Sequence, residues 1–323
     1  MRKYIKVHPY QLFCILCKLK RGFKNSKEDK KLKAILDKII KNPERPIMLV
    51  CRVAGSYSYQ NPQNIKNKKE LFRKKQDFDI LRLIGLFPGA IMPARFIIEK
   101  LFNSIETTKE ICKGNPNSKI WKGCQYSEKS DYEKLREEGI NSIFPGRSLE
   151  ERKKSKKISV KKIYKSKILK IRPHHLMCMV CFSESKNQPI LEDNLYEVIE
   201  RIRKNPEIPI KLIEGPCMIC PPCSAYIPEK NLCIGGFSMN LRDEKKDLDV
   251  LFKLDMNYGM ILTAKKLFER LFERIKSAKE ICGYKDCKET SSEWRICSNV
   301  YKGYYEKGRN KGMGIPGVKP KDK

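Results

Sequence analysis

Val7-His8-Pro9-Tyr10-Gln11-Leu12-Phe13-Cys14-Ile15-Leu16-Cys17 returns later in the chain as Ile171-Arg172-Pro173-His174-His175-Leu176-Met177-Cys178-Met179-Val180-Cys181. A repeat fixes which residues are comparable, so it governs how the rest of the sequence is read. Working outward, Lys41-Asn42-Pro43-Glu44-Arg45-Pro46-Ile47 answers Lys204-Asn205-Pro206-Glu207-Ile208-Pro209-Ile210, and Asp77-Phe78-Asp79-Ile80-Leu81 answers Asp247-Leu248-Asp249-Val250-Leu251. Lys109-Glu110-Ile111-Cys112 matches Lys279-Glu280-Ile281-Cys282, and Trp121 with Cys124 matches Trp294 with Cys297. Matches in the same order through both halves define a tandem duplication.

Hydrophobic spacing gives the coarse structure of each copy. Leu32, Ile35, Leu36, Ile39 and Ile40, and again Leu191, Leu195, Val198, Ile199 and Ile202, recur at helical intervals. Each helix stops before Asn-Pro, where the residue ahead of proline is pushed out of helical conformation. Ile47 to Val50 and Ile210 to Ile213 then have strand length and β-prone composition. The longest helix of each copy is expected over Ala94 to Ile105 and over Ala264 to Ile275. The fold class read from this pattern is α+β, predominantly helical, with the two copies packed as a pseudo-dimer that buries apolar helix faces.

The 323 residues suffice for about two domains. Lys and Arg number 69 against 38 Asp and Glu, a formal balance of +31. No apolar run approaches the roughly 20 residues that span a bilayer, and the N-terminus lacks a small-residue cleavage site, so a cytoplasmic protein without membrane contact is expected. Residues 151–170 are rich in like charge and read as a basic linker; residues 1–150 and 171–323 are the two copies, the second ending in a frayed Gly-, Pro- and Lys-rich tail. Residues 1–150 carry +16, residues 151–172 carry +10, and residues 173–323 carry +5. An acidic or nucleic-acid partner would thus meet the first copy and the linker.

The second copy holds the chemistry. Pro173 suits a first helical position, and on that helix His174, Cys178 and Cys181 are expected on one face. Downstream, Gly215-Pro216-Cys217-Met218-Ile219-Cys220-Pro221-Pro222-Cys223 is followed by Cys233 and Gly235-Gly236. Glycine and proline hold such a segment out of regular structure and let its thiolates converge on one ion or cluster. Six candidate ligands, Cys178, Cys181, Cys217, Cys220, Cys223 and Cys233, exceed the four that a tetrahedral zinc or a cubane cluster takes. By spacing alone, zinc and an iron–sulfur cluster are both served.

Arg172-Pro173-His174-His175-Leu176-Met177-Cys178, then Gly215-Pro216 with Ile219-Cys220 and Cys223, then Cys233, then Asp247 or Asp249 before Val250-Leu251, resembles domain-of-unknown-function family 1284 of archaea and bacteria. The resemblance covers roughly Ile171 to Ile275. It implies iron–sulfur binding, with Cys178, Cys220, Cys223 and Cys233 as ligands, Cys181 and Cys217 as extras, and no known reaction.

The first copy departs from the pattern. Tyr10 and Gln11 replace the histidine pair, and the Cys-rich loop has become Cys51-Arg52-Val53-Ala54-Gly55-Ser56-Tyr57-Ser58-Tyr59. Three thiols cannot close a four-ligand site, so this copy is read as keeping its fold and losing its metal, with Cys14 and Cys17 as buried apolar thiols. His174 and His175 are read as cofactor-side hydrogen-bonding residues rather than ligands. Cys112 with Cys124 persists where the loop has decayed, which suggests packing or a thiol–thiol bond; a second metal on Cys282, Cys287 and Cys297 stays open. Trp121 and Trp294 are read as core anchors.

Only His8, His174 and His175 are present, and no G-x-S-x-G, P-loop or dinucleotide fingerprint follows a strand; Gly235-Gly236-Phe237 is too short to be a phosphate loop. The leading function is an iron–sulfur protein, with a 4Fe–4S cluster favoured, acting in electron transfer or redox sensing with an unknown redox or protein partner. The alternatives are a zinc-stabilised nucleic-acid-binding module, motivated by the positive charge, and an enzyme whose cluster binds substrate.

Overall fold

The computed structural model describes residues 4–51, 68–118, 121–128, 130–235 and 239–319. The first copy's altered loop beyond Cys51 and the Gly236-Phe237 pair lie outside the described residues. The chain divides into two compact units, Met1–Pro145 and Gly146–Lys323.

In the N-terminal unit, strand β1 (Ile5–Val7) leads into helix α1 (Pro9–Lys18), then α2 (Lys27–Lys41), β2 (Pro46–Leu49), α3 (Lys68–Ile84), β3 (Ile91–Pro93), α4 (Ala94–Ser104), α5 (Lys109–Cys112) and α6 (Tyr132–Glu138). β1 pairs with β2 in parallel, and β3 pairs with β2 antiparallel, with Ile47 opposite both Ile5 and Met92. Val7, Ile47 and Leu49 are buried together with Leu12, Phe13, Ile97 and Leu101, so the sheet packs beneath α1 and α4. α2 starts on Ser26, whose side chain accepts from the Asp29 amide, and ends at Asn42, as the Asn-Pro pair requires.

The C-terminal unit opens with α7 (Leu149–Lys165) and continues through β4 (Leu169–Ile171), α8 (Pro173–Ser185), α9 (Leu195–Lys204), β5 (Pro209–Leu212), the hairpin β6 (Tyr226–Ile227) and β7 (Leu232–Cys233), α10 (Leu241–Leu254), β8 (Ile261–Thr263), α11 (Ala264–Arg274), α12 (Lys279–Cys282) and α13 (Tyr304–Asn310). Its main sheet has the order β4-β5-β8, again one parallel and one antiparallel pairing, with Ile210 opposite both Leu169 and Leu262.

Four expectations are corrected. The stretch read as a basic linker is folded: α7 has a capping box in which Ser148 and Glu151 bond each other's backbone amides, and it buries Ser159 and Ile163. The expected longest helices are eleven residues each, shorter than α3 and α7, because each leaves helical conformation at Ile105 or Ile275. The C-terminal tail packs rather than frays. Met313, Ile315 and Val318 are buried, Arg203 Nε donates to Met313 O at 3.0 Å, and α13 crosses α8 so closely that a Cβ on Gly308 would lie 2.5 Å from Val180 O. Trp121 and Trp294 are half-buried, not core anchors.

Folding α7 into the C-terminal unit also redistributes charge. Residues 1–145 carry 31 basic and 15 acidic side chains and residues 146–323 carry 38 and 23, so the units stand at +16 and +15 rather than concentrating the excess in one copy. No helix among the described residues is long and apolar enough to cross a membrane.

Candidate metal centre

The Cys-rich loop is a series of tight turns. Cys220 N donates to Cys217 O at 3.1 Å, Cys223 N to Cys220 O at 2.9 Å and Tyr226 N to Cys223 O at 3.2 Å, so a thiol emerges at each successive turn. Gly215 enters the loop at φ +74°, a left-handed conformation that favours glycine. Tyr226 then pairs with Cys233 across the β6–β7 hairpin, which returns the fourth loop thiol to the same place.

Carbonyls on such a loop need donors, and α7 with Arg147 just ahead of it supplies them. Arg147 Nη1 donates to Cys223 O at 3.1 Å and also to Pro221 O, Arg152 Nε donates to Pro222 O at 2.9 Å, and Ser155 Oγ to Pro221 O at 2.8 Å. Asn194 Nδ2 reaches Met218 O at 2.8 Å. None of these supports was found by sequence reasoning; the Ser148-x-x-Glu151 capping box was the signal that could have exposed α7.

The second wall comes from α8. Its entry is fixed by Asp247 of α10, fully buried, which accepts from Arg172 Nη2 at 2.6 Å and Nε at 2.9 Å and from the His174 amide at 2.8 Å. The His174 ring Nδ1 also lies 2.8 Å from Asp247 Oδ1. Burial pushes His174 down to about 4, against the pull of Asp247, so the ring is neutral at pH 7. Burial raises the Asp247 carboxyl, but its hydrogen bond with His174 and the Arg172 charge outweigh this and leave it lowered.

His174, Cys178 and Cys181 stand at i, i+4 and i+7 of the unbroken helix α8, the spacing of one face, yet they do not share one role. His174 is turned to Asp247. His175 instead faces the loop, with Nδ1 3.1 Å from Cys217 Sγ, and Cys217 Sγ is 3.9 Å from Cys220 Sγ. His175, Cys217 and Cys220 have ligand atoms all within 4.8 Å of one another, the one such group among the described residues.

Cys178, Cys220, Cys223 and Cys233 line one cavity of about 500 Å³, which His175 also borders. Cys217 stands behind Cys220. Cys181 lines a different cavity, with Cys282 and Cys297, and Cys178 borders both. None of these cysteines is in a disulfide, and no disulfide joins Cys112 to Cys124 or Cys282 to Cys297.

The thiols differ in acidity. Burial pushes Cys178 well up and Cys233 up to about 11, and it also raises Cys223. The Cys217–Cys220 contact splits that pair. Burial would raise Cys217, but the hydrogen bond from Cys220, backbone amides and the Arg172 charge outweigh it and lower Cys217, while the same contact raises Cys220. Of the loop and hairpin thiols, Cys217 is the one whose proton is loosened rather than held.

An α+β unit that gathers soft thiols and an imidazole at one cavity has the donor set of a metal-binding protein, because thiolate and imidazole suit iron and zinc. Residues 190–291 match the family described as "Protein of unknown function (DUF1284)", a span that includes the Cys-rich loop, the hairpin and α10; the N-terminal unit is not matched. No curated protein and no solved structure matches the chain.

Proposed function

We propose that the C-terminal unit binds an iron–sulfur cluster, 4Fe–4S in type, through Cys178, Cys220, Cys223 and Cys233, and serves electron transfer or redox sensing. The observation that carries this reading is that four thiols from three segments, α8, the loop and the hairpin, line one cavity. Such a cluster supplies one-electron chemistry when bound. A tetrahedral zinc with Zn–S bonds near 2.3 Å would draw its thiolates to within about 4 Å of one another; the four cavity thiols stand in no group as tight as 4.8 Å, which suits a wider, multi-iron centre.

The protein's own residues supply the surroundings. His175 borders the cavity and meets Cys217 behind it, Arg172 and the paired Arg242 and Asp243 stand on its wall, and α7 bonds the loop's carbonyls. The two units are read as copies of one duplicated fold, supported by their matching sheet order and register.

A second reading is favoured by one observation, the tight group of His175, Cys217 and Cys220: a single zinc held there with one further ligand. Anaerobic metal and acid-labile sulfide analysis separates the two. Under the cluster reading, Cys223→Ser and Cys233→Ser each lose iron, sulfide and visible absorption, while His175→Ala retains them. Stoichiometric zinc without sulfide, lost in His175→Ala and Cys217→Ser, overturns it.

A further inference from the structure

The N-terminal unit gathers four thiols of its own. Cys14 and Cys17 project from α1, one turn apart, and Cys112 ends α5. Cys124 is brought back onto Cys112 by a narrow hairpin in which Cys124 N donates to Cys112 O at 2.8 Å and Asn115 N to Trp121 O at 2.9 Å. The approach depends on glycine on both sides. A Cβ on Gly114 would lie 2.0 Å from Gly123 N, and one on Gly123 would lie 2.4 Å from Gly114 N and 2.9 Å from Cys112 O. No side chain other than hydrogen fits at either place, so the sequence Cys112-Lys113-Gly114 and Lys122-Gly123-Cys124 is built to hold these two cysteines side by side.

All four thiols line one cavity of about 550 Å³, whose wall also carries Lys18, Arg73 and Lys122. Gln76 Nε2 donates to Cys112 Sγ at 3.3 Å. Cationic neighbours favour thiolate over thiol, but in the metal-free unit burial pushes Cys17 well up, and the hydrogen bond with Cys124 together with burial pushes Cys112 up. Burial pushes Cys14 up to about 12 in the metal-free unit, with Cys124 adding to the rise and Lys18 and Arg73 opposing it.

The arrangement recurs. The matching positions of the other unit, Cys178, Cys181, Cys282 and Cys297, line one cavity, with Cys297 N donating to Cys282 O at 3.3 Å. At the position of Gln76 stands Lys246, 4 % exposed, whose charge lowers Cys282 and Cys178 against the effect of burial. Asp243 gives this buried ammonium a countercharge at 4.0 Å. Cys178 there is contested, because it also borders the loop cavity. In the N-terminal unit the sequence of residues 52–67 contains neither cysteine nor histidine, and Cys51 does not line the cavity of the four thiols.

We propose that Cys14, Cys17, Cys112 and Cys124 form a second four-thiolate metal centre, which holds an iron–sulfur cluster in the unit whose loop has lost its cysteines. Cys112 is buried in the core with Cys124 packed against it, and ligation would add a second cause for the persistence of the pair. The four sulfurs form no group within 4.8 Å, so their spacing favours a cluster over one tetrahedral ion. This site is independent of the loop site: its residues, unit and glycine clamp are different.

The test uses the full chain, reconstituted anaerobically with ferrous iron and sulfide. Cys112→Ser/Cys124→Ser is expected to lose about four iron and four sulfide per chain relative to the unaltered protein, whereas Cys220→Ser/Cys223→Ser retains the N-terminal centre. Thiol alkylation of the unaltered protein, read by mass spectrometry, guards against a folding defect: Cys14, Cys17, Cys112 and Cys124 should be protected until the iron is removed by chelation. Unchanged iron content in Cys112→Ser/Cys124→Ser, alkylation of those four thiols in the reconstituted protein, or zinc without sulfide at them overturns the proposal. Loss of the loop site alone, with these four still protected, would sink the proposed function and leave this inference standing.

Discussion

Asp77 and Asp247 occupy matching positions, yet they are held differently. Asp77 meets the His8 ring at 2.8 Å and the Tyr10 amide at 2.9 Å, whereas Asp247 accepts two guanidinium N–H groups of Arg172 on Oδ2 and meets the amide and ring of His174 with Oδ1. Farther along, the units agree closely. Tyr132 Oη donates to Ile105 O at 2.8 Å as Tyr305 Oη donates to Ile275 O at 3.0 Å, and Arg136 Nε donates to Phe102 O as Arg309 Nε does to Phe272 O. The framework and the ring of thiols travel together, while the Cys-rich loop and its anchoring at the start of α8 are separable from both.

Breaking the anchor should give the largest contrast. Asp247→Ala strands the buried Arg172 charge and is expected to cost about 3–5 kcal/mol in chemical denaturation. Asp77→Ala, whose partners are a histidine ring and an amide, is expected to cost about 1–3 kcal/mol. Equal losses would remove the distinction.

A pH effect belongs to the N-terminal unit. Burial pushes Glu99 up to about 7, against Arg95 and with a small contribution from Glu44. A carboxyl raised on folding stabilises fully below pH 4.5 and loses that contribution as pH rises to about 7. Glu99→Gln should therefore stabilise this unit by about 2–3 kcal/mol at pH 8 and by nothing at pH 4, checked by unfolding at both values.

Loop support comes next. Arg152→Ala with Ser155→Ala removes the donor to the Pro222 carbonyl and leaves Arg147 as donor to that of Pro221, for about 1–3 kcal/mol, and should speed loss of metal from the C-terminal unit to a chelator without altering the N-terminal unit. The smallest effect is also the most symmetrical: Tyr132→Phe and Tyr305→Phe should each cost about 1 kcal/mol, and a several-fold disparity would show that the framework is not shared as described.

Much of this was legible in the sequence. The 3–4 spacing in α2 and α9, the Asn-Pro stops and the strands β2 and β5 follow from local chemistry. The converging thiols of the loop follow from Gly, Pro and Cys spacing. α7 was hidden because its many lysines outweigh a thin buried stripe of Ser159 and Ile163, leaving only its capping box as a cue. Strands β1, β3, β4 and β8 are three residues each, too short to show alternation. The split between His174 and His175 was hidden too, since Asp247 lies 73 residues away from the helix it anchors. Four thiols around one N-terminal cavity were missed because two of them meet only through a glycine hairpin.

The central claim is that Cys220 and Cys223 help hold an iron–sulfur cluster in the C-terminal unit. The most direct measurement is iron, zinc and acid-labile sulfide per chain, with the visible spectrum, for the anaerobically purified protein and for Cys220→Ser/Cys223→Ser. A loss of about four iron and four sulfide in the variant, with the matching fall in visible absorption, is the predicted result. Unchanged iron and sulfide in the variant, or zinc alone in the unaltered protein, would contradict it.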